Sequence, residues 1–192
     1  MINMMQTKQE IRAVIAAAEA EWPETYFQAS DAEIARRVQA MPEWQTAQTL
    51  FLYVSVRREP DTRALIEAAL RGGKRVAVPR CLRRGAMEAR EIHALDELVP
   101  ATYGLLEPTD AAPLVLPGEI DLAVIPCVAA DKTGRRLGHG AGFYDRYLAG
   151  SAARRLCLCR SRNLLEAVPA EAHDLVMDWV VTEDETLFTG KA

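Results

Sequence analysis

The sequence predicts an α/β fold: a single-domain three-layer sandwich with a mostly parallel central sheet flanked by helices. Three observations carry this. The apolar pattern switches along the chain between unbroken β-rich runs and helical periodicity. Residues 49–78 hold strand, helix and strand in succession, a βαβ unit that requires two parallel strands joined by a right-handed crossover. At 192 residues the chain has the length of one compact domain, taken as residues 1–192.

Thr7 and Glu10 form a capping-box pair, and Ile11, Val14, Ile15, Ala18 and Trp22 recur at helical spacing until Pro23 ends the pattern. A second helix is expected from Ser30, boxed by Glu33, with Ile34, Val38 and Met41 turned inward and a stop before Pro42. The period then changes: residues 49–56 (TLFLYVSV) read as a strand buried on both faces. Asp61 or Thr62 opens a helix with Leu65, Ile66, Ala69 and Leu70 at core spacing, closed by Gly72-Gly73 as a left-handed cap. Residues 74–78 (KRVAV) return as a strand, and residues 87–92 follow the basic turn Arg83-Arg84-Gly85 as an edge or hairpin strand. The Pro- and Gly-rich stretch 100–119 reads as a long ordered loop. Residues 121–126 (DLAVIP) form another buried strand, the glycine-rich stretch 134–142 enters a helix at 143–148, and strands follow at 155–159 and, last, at 178–181.

Lys and Arg number 23 against 27 Asp and Glu, a net charge of −4, with 49% hydrophobic and 26% charged residues. No dominant basic face is available, so nucleic acid is not an expected partner. The charge is uneven, however. Residues 131–162 hold eight Lys+Arg against two Asp, whereas residues 163–192 hold one Lys against seven acidic residues. A cationic segment followed by an acidic tail suits a small bound polyanion with its metal. Residues 1–10 lack a basic stretch leading into an apolar run, and no stretch nears the ~20 apolar residues of a membrane span. A cytoplasmic monomer with no membrane partner is expected. Cys81, Cys127, Cys157 and Cys159 show no CxxC pair and read as small core residues of a reducing compartment.

Chemistry concentrates at residues 131–145, around Gly138-x-Gly140-x-Gly142. Alternate glycines let the backbone approach a ligand and turn N–H groups toward it, and the following helix adds a partial positive charge. Arg135, Arg136 and His139 add donors, as a polyphosphate requires. This is neither a Walker A loop, since no Gly-Lys-Ser/Thr follows, nor a Rossmann loop by spacing. A tight turn without a ligand is the competing reading.

The run 121–131 (DLAVIPCVAAD) with 134–148 (GRRLGHGAGFYDRYL) resembles the 5-formyltetrahydrofolate cyclo-ligase family. Further blocks agree in order and spacing: Lys8 to Arg12, Ser55 with Glu59-Pro-Asp-Thr62, residues 73–80 (GKRVAVPR), 103–108 (YGLLEP), and Val168-Pro169 with His173-Asp174 and Met177-Asp178. The resemblance implies a NagB/RpiA/CoA transferase-like sandwich and an ATP- and Mg²⁺-dependent ligase acting on 5-formyltetrahydrofolate. In that family the formyl oxygen is phosphorylated, the second folate nitrogen attacks the activated carbon, and phosphate leaves. It places ATP on Lys8, Arg12, Arg136 and the loop Gly138, His139, Gly140, Ala141, Gly142, Phe143 and Tyr144. It places folate on Val54, Glu59, Glu107, His139 and Phe143, and Mg²⁺ on Asp145 and Asp178, with Arg136 and Asp145 as the catalytic pair. Ala130, Ala141, Phe143 and residues 160–163 depart from the family pattern, and the changes at 130 and 143 are expected to alter the grip on pterin and formyl group. The alternative is a non-catalytic regulatory domain binding a phosphorylated metabolite, which would use the glycine loop but not all of Lys8, Arg12, Asp145 and Asp178.

Overall fold

The structure, a computed structural model, describes residues 7–190; the expectation about a leader at residues 1–10 falls mainly outside them. Helix α1 (Lys8–Ala20) starts on the expected box: Thr7 Oγ1 accepts from the Glu10 amide and Glu10 accepts from the Thr7 amide. Ile11 and Ile15 are buried, but Val14 is exposed, because α1 rests on the domain along a narrow stripe.

Helix α2 (Glu24–Ala40) begins directly after Pro23, not at Ser30. The fixed φ of Pro23 presets the entry, and Phe27 joins Ile34 and Val38 on one buried face. Ser30 is therefore mid-helix, where its hydroxyl donates to the Phe27 carbonyl. A short helix α3 (Pro42–Thr46), unforeseen, buries Trp44. Helix α4 (Arg63–Arg71) ends at the expected glycines, Gly73 having φ 72°.

The strands are β1 (Thr49–Leu52), β2 (Arg75–Cys81), β3 (Met87–Ile92), β4 (Val99–Pro100), β5 (Leu106–Glu107), β6 (Leu114–Val115), β7 (Leu122–Pro126), β8 (Ala129–Asp131), β9 (Arg136–Leu137), β10 (Arg154–Leu158), β11 (Leu164–Leu165), β12 (Trp179–Val181) and β13 (Thr186–Phe188). The main sheet runs β13-β12-β10-β7-β1-β2-β3-β6. Its five central strands, β12 to β2, are parallel; β13 on one side and β3 with β6 on the other are antiparallel. Thus residues 87–92 do form a hairpin strand, but β6 covers its outer side, and β13 rather than residues 178–181 is last. Stretch 100–119 carries β5 and β6, and β8 pairs with β9 as a hairpin whose second strand falls inside the glycine-rich stretch 134–142.

Alternation along β1 explains the unbroken apolar run. Leu50 and Leu52 face a core shared with Ile34, Val38, Leu65 and Ile66 of α2 and α4, while Phe51 faces the other core with Ala123, Ile125 and Cys157. A third small cluster, Ile11, Ile15, Ala129, Leu137 and Val168, fastens α1 to the β8–β9 hairpin. That docking brings the first turns of α1 over the glycine-rich loop. Among the described residues no helix is long and apolar enough to cross a membrane.

Candidate functional site

Segments that follow parallel strands gather at one edge of a sheet. Here residues 53–60 after β1 and 127–128 after β7 meet the loop after β9, and α1 closes the side. They enclose a cavity of about 1370 Å³.

The glycine loop supplies its floor. Gly140 and Gly142 have φ of 102° and 63°, left-handed values that a side chain resists, and helix α5 (Phe143–Tyr147) starts immediately after. Lys8 and Arg12, one helical turn apart on α1, both line the cavity, and Arg12 reaches the loop. Arg12 Nε donates to the Gly138 carbonyl at 2.7 Å, and its guanidinium lies 3.5 Å from where a β-carbon on Gly140 would stand. Lys8 Nζ bridges Glu171 at 2.9 Å and Asp174 at 2.7 Å, so a short acidic segment holds its charge.

Arg136 leaves β9 beneath the loop. Its Nη2 donates to Asp145 Oδ1 at 2.9 Å, and the two side chains are only 6% and 11% exposed. Asp145 Oδ1 also accepts from the Leu175 amide at 3.1 Å, while Arg136 Nε is buried without a partner. Arg146 ties the loop down by donating to the carbonyls of Ala141 and Gly85.

On the other side, Glu59 turns inward. Its Oε1 lies 2.9 Å from His139 Nε2 and its Oε2 accepts from the Val56 amide at 2.9 Å, linking the turn after β1 to the glycine loop. Val54, Phe143 and Tyr144 add apolar surface, and burial, with the nearby Glu59 carboxylate, pushes the Tyr144 phenol well up. Glu107 on β5 accepts from the Cys81 amide at 3.2 Å. Burial, followed by that carboxylate, pushes the Cys81 thiol up to about 12.

The cavity therefore collects Lys8, Arg12, Val54, Glu59, Glu107, Arg136, Gly138, His139, Gly140, Ala141, Gly142, Phe143, Tyr144 and Asp145. It does not collect Asp178. That carboxylate accepts from the Arg155 amide at 2.8 Å and from Arg155 Nε at 3.4 Å. Asp178 precedes β12 and so sits at the opposite, N-terminal edge of the parallel strands; the expected pairing of Asp145 with Asp178 around a metal is not assembled. Ala130 is also away from the cavity, buried on β8 within the core, so the missing ring there does not touch the site. Sequence reasoning missed Glu171, Asp174 and Arg146 as cavity-lining groups. The acidic excess after residue 163 was the available signal for Glu171, while Asp174 and Arg146 stood inside the quoted blocks.

The model described as the 5-formyltetrahydrofolate cyclo-ligase family matches residues 4–183. The chain is 37% identical over 144 residues to a 5-formyltetrahydrofolate cyclo-ligase of Mycolicibacterium smegmatis, covering 71% of this chain and 74% of that one. To the Escherichia coli K12 protein of the same name it is 33% identical over 156 residues, covering 78% and 86%. The solved 5,10-methenyltetrahydrofolate synthetase of Aquifex aeolicus superposes with a TM-score of 0.86 at 24% identity, over 97% of this chain and 95% of that one, a likeness of fold.

Proposed function

The chain belongs to the 5-formyltetrahydrofolate cyclo-ligase family, and from that premise we propose how its cavity works. The activity is ATP-dependent closure of 5-formyltetrahydrofolate to 5,10-methenyltetrahydrofolate. The formyl oxygen attacks the γ-phosphorus and ADP leaves; the second folate nitrogen then attacks the activated carbon, and phosphate leaves with that oxygen.

One observation carries the assignment of residues: a cationic, glycine-lined half and a half built on Val54, Glu59 and Glu107 share a single cavity of about 1370 Å³. One drug-sized ligand typically fills roughly 300–1,000 Å³, so this space accommodates two reactants side by side. Phosphoryl transfer asks the protein mainly for positioning and charge neutralisation. Lys8, Arg12 and the loop amides of residues 138–144 hold the polyphosphate, which takes over Lys8 from Glu171 and Asp174. Arg136, locked by Asp145 and nearly dry, supplies a fixed positive charge where negative charge accumulates on the transferred group. Glu59 accepts hydrogen bonds from the pterin N–H groups, two oxygens matching two adjacent donors, and His139 keeps it oriented. Phe143 and Val54 pack on the ring system, and Glu107 frames the pocket from β5.

Magnesium fits this donor set in a limited way. Among the described residues no cluster of three or more His, Cys, Asp or Glu side chains could cage a metal. Mg²⁺ in phosphoryl-transfer sites commonly takes one or two protein carboxylates and draws its other ligands from phosphate and water. Asp145, beside the glycine loop, is the carboxylate placed for that, and the ion would neutralise charge on the phosphates.

The cavity is built from one chain, in keeping with a monomer, and the four free cysteines suit a cytoplasmic setting. The test is conversion of 5-formyltetrahydrofolate to the methenyl form with ATP and Mg²⁺, followed by absorbance. No turnover, or turnover unchanged by Arg136→Ala and Asp145→Ala, refutes the reading.

A further inference from the structure

The cationic side chains around the cavity are nearly all engaged. Lys8 bridges Glu171 and Asp174, Arg136 pairs with Asp145, Arg58 with Glu24 and Arg160 with Asp31, while Arg12 and Arg146 donate to loop carbonyls. Arg57 lines the same cavity and, among the described residues, has no ion pair, side-chain hydrogen bond or aromatic ring as partner.

Arg57 is unusual in a second, independent respect. It is the one non-glycine residue among the described ones with a positive φ, 54°. In that left-handed conformation the β-carbon crowds the following carbonyl, a penalty glycine would avoid. The chain thus carries a strained, exposed and unneutralised arginine on the very turn that presents Glu59. The conformation is held by the turn that presents Glu59, closed by the Glu59 amide on the Val56 carbonyl and by the Val56 amide on the Glu59 carboxylate, and such strain clusters at functional sites.

Its position defines the work. Glu59 turns from this turn into the cavity toward His139, whereas Arg57 stays exposed at the rim, between the main cavity and a smaller one of about 430 Å³ that shares Arg58, Glu59 and Arg160. Arg12 approaches the glycine loop from α1 with Lys8 one turn before it, so in the reading above the polyphosphate already has its cations and Arg57 is left for a different anion. The folate substrate carries another: its end remote from the pterin is a glutamate with two carboxylates. A planar guanidinium matches a carboxylate with two parallel N–H bonds. Resting on the cyclo-ligase reading above, we propose that Arg57 binds a carboxylate of the substrate's glutamate end and is a specificity-determining residue for folates over truncated pteroyl compounds.

The experiment is a two-substrate comparison at saturating ATP and Mg²⁺, with the KM for ATP taken separately at saturating folate. Wild type, Arg57→Gln and Arg57→Gly are each assayed with 5-formyltetrahydrofolate and with 5-formyltetrahydropteroate, which lacks the glutamate. Arg57→Gly relieves the backbone while removing the guanidinium, so a loss it shows cannot come from a strained fold. A charge-assisted pair at a solvent-facing site corresponds to about a two- to fivefold change in KM. Expected are a rise of that size in KM for the folate in both variants, convergence of all three proteins on the pteroate, and an unmoved KM for ATP. An unchanged folate KM, equal shifts on both substrates, or a shift in KM for ATP overturns the proposal. If the wild type cyclises neither substrate, the cyclo-ligase reading fails and the proposal with it; if it cyclises the folate and the variants match it, only the proposal fails.

Discussion

Removing Asp145 should destabilise the protein more than removing Arg136, although both belong to one ion pair. The pair is buried, with 6% and 11% of the side chains exposed and 2.9 Å between Nη2 and Oδ1. Breaking such a pair by deleting one partner costs about 3–5 kcal/mol, because the other charge is left buried and uncompensated. The two survivors are not equal. After Arg136→Met, Asp145 keeps the Leu175 amide as donor. After Asp145→Ala, Arg136 loses its acceptor while its Nε already lacks one, so the full penalty falls on a buried guanidinium. We expect about 4–5 kcal/mol for Asp145→Ala and about 2–3 kcal/mol for Arg136→Met. For a chain of this size each kcal/mol moves Tm by roughly 2–4 °C. Urea unfolding at neutral pH measures both. The double variant Arg136→Met with Asp145→Leu should recover part of the stability, since no buried charge remains, yet stay inactive in the methenyl absorbance assay. A smaller loss for Asp145→Ala than for Arg136→Met, or an active double variant, refutes the reasoning.

Other expectations follow from single contacts. Gly134→Ala should cost at least about 2 kcal/mol in urea unfolding, since φ is 83° and the new β-carbon would stand 2.4 Å from the Met177 carbonyl oxygen; a change under about 0.5 kcal/mol contradicts this. Asp178→Asn should weaken the fold, because its carboxylate accepts twice from Arg155, but leave the Mg²⁺ concentration for half-maximal rate unaltered; a tenfold rise with stability intact would make Asp178 a metal ligand after all. Glu171→Gln combined with Asp174→Asn frees Lys8 and should lower KM for ATP about two- to fivefold, the range for a partly exposed ion pair; a raised KM refutes the competition. Cys81, pushed up to about 12 by burial and then Glu107, should react with iodoacetamide at pH 8 on the order of a thousandfold more slowly than a free thiol. Its folded pKa lies above its ordinary 9.0, so its contribution to stability is complete below pH 9 and is lost as pH rises toward 12. Alkylation at the free-thiol rate sinks this one.

Much of the fold was legible because burial writes period into sequence. The runs 49–56, 74–78 and 121–126 carry no polar alternation, since helices or loops cover both faces of β1, β2 and β7, and they marked a parallel sheet directly. Thr7 and Glu10 marked the start of α1 because a capping box is local chemistry. Ser30 failed as a start signal for the converse reason: a cap residue competes with burial, and Phe27 belongs to the same buried face upstream of it. The short hairpin of β8 and β9 had no periodicity to show, being three and two residues long.

The candidate site divides the same way. Composition and local motif determined the glycine loop, its cations and, through order and spacing of blocks, the family. Spacing alone could not say that Lys8, 163 residues from Glu171, would be neutralised by it, or that Glu59 and His139 would meet at 2.9 Å. Nor could it separate Asp145 from Asp178, two aspartates of equal promise on paper. In a parallel sheet the residues after strands collect at one edge and the residues before them at the other. Only the closed tertiary structure decides on which edge a carboxylate stands, and it put Asp145 beside the glycine loop and Asp178 at the far edge with Arg155.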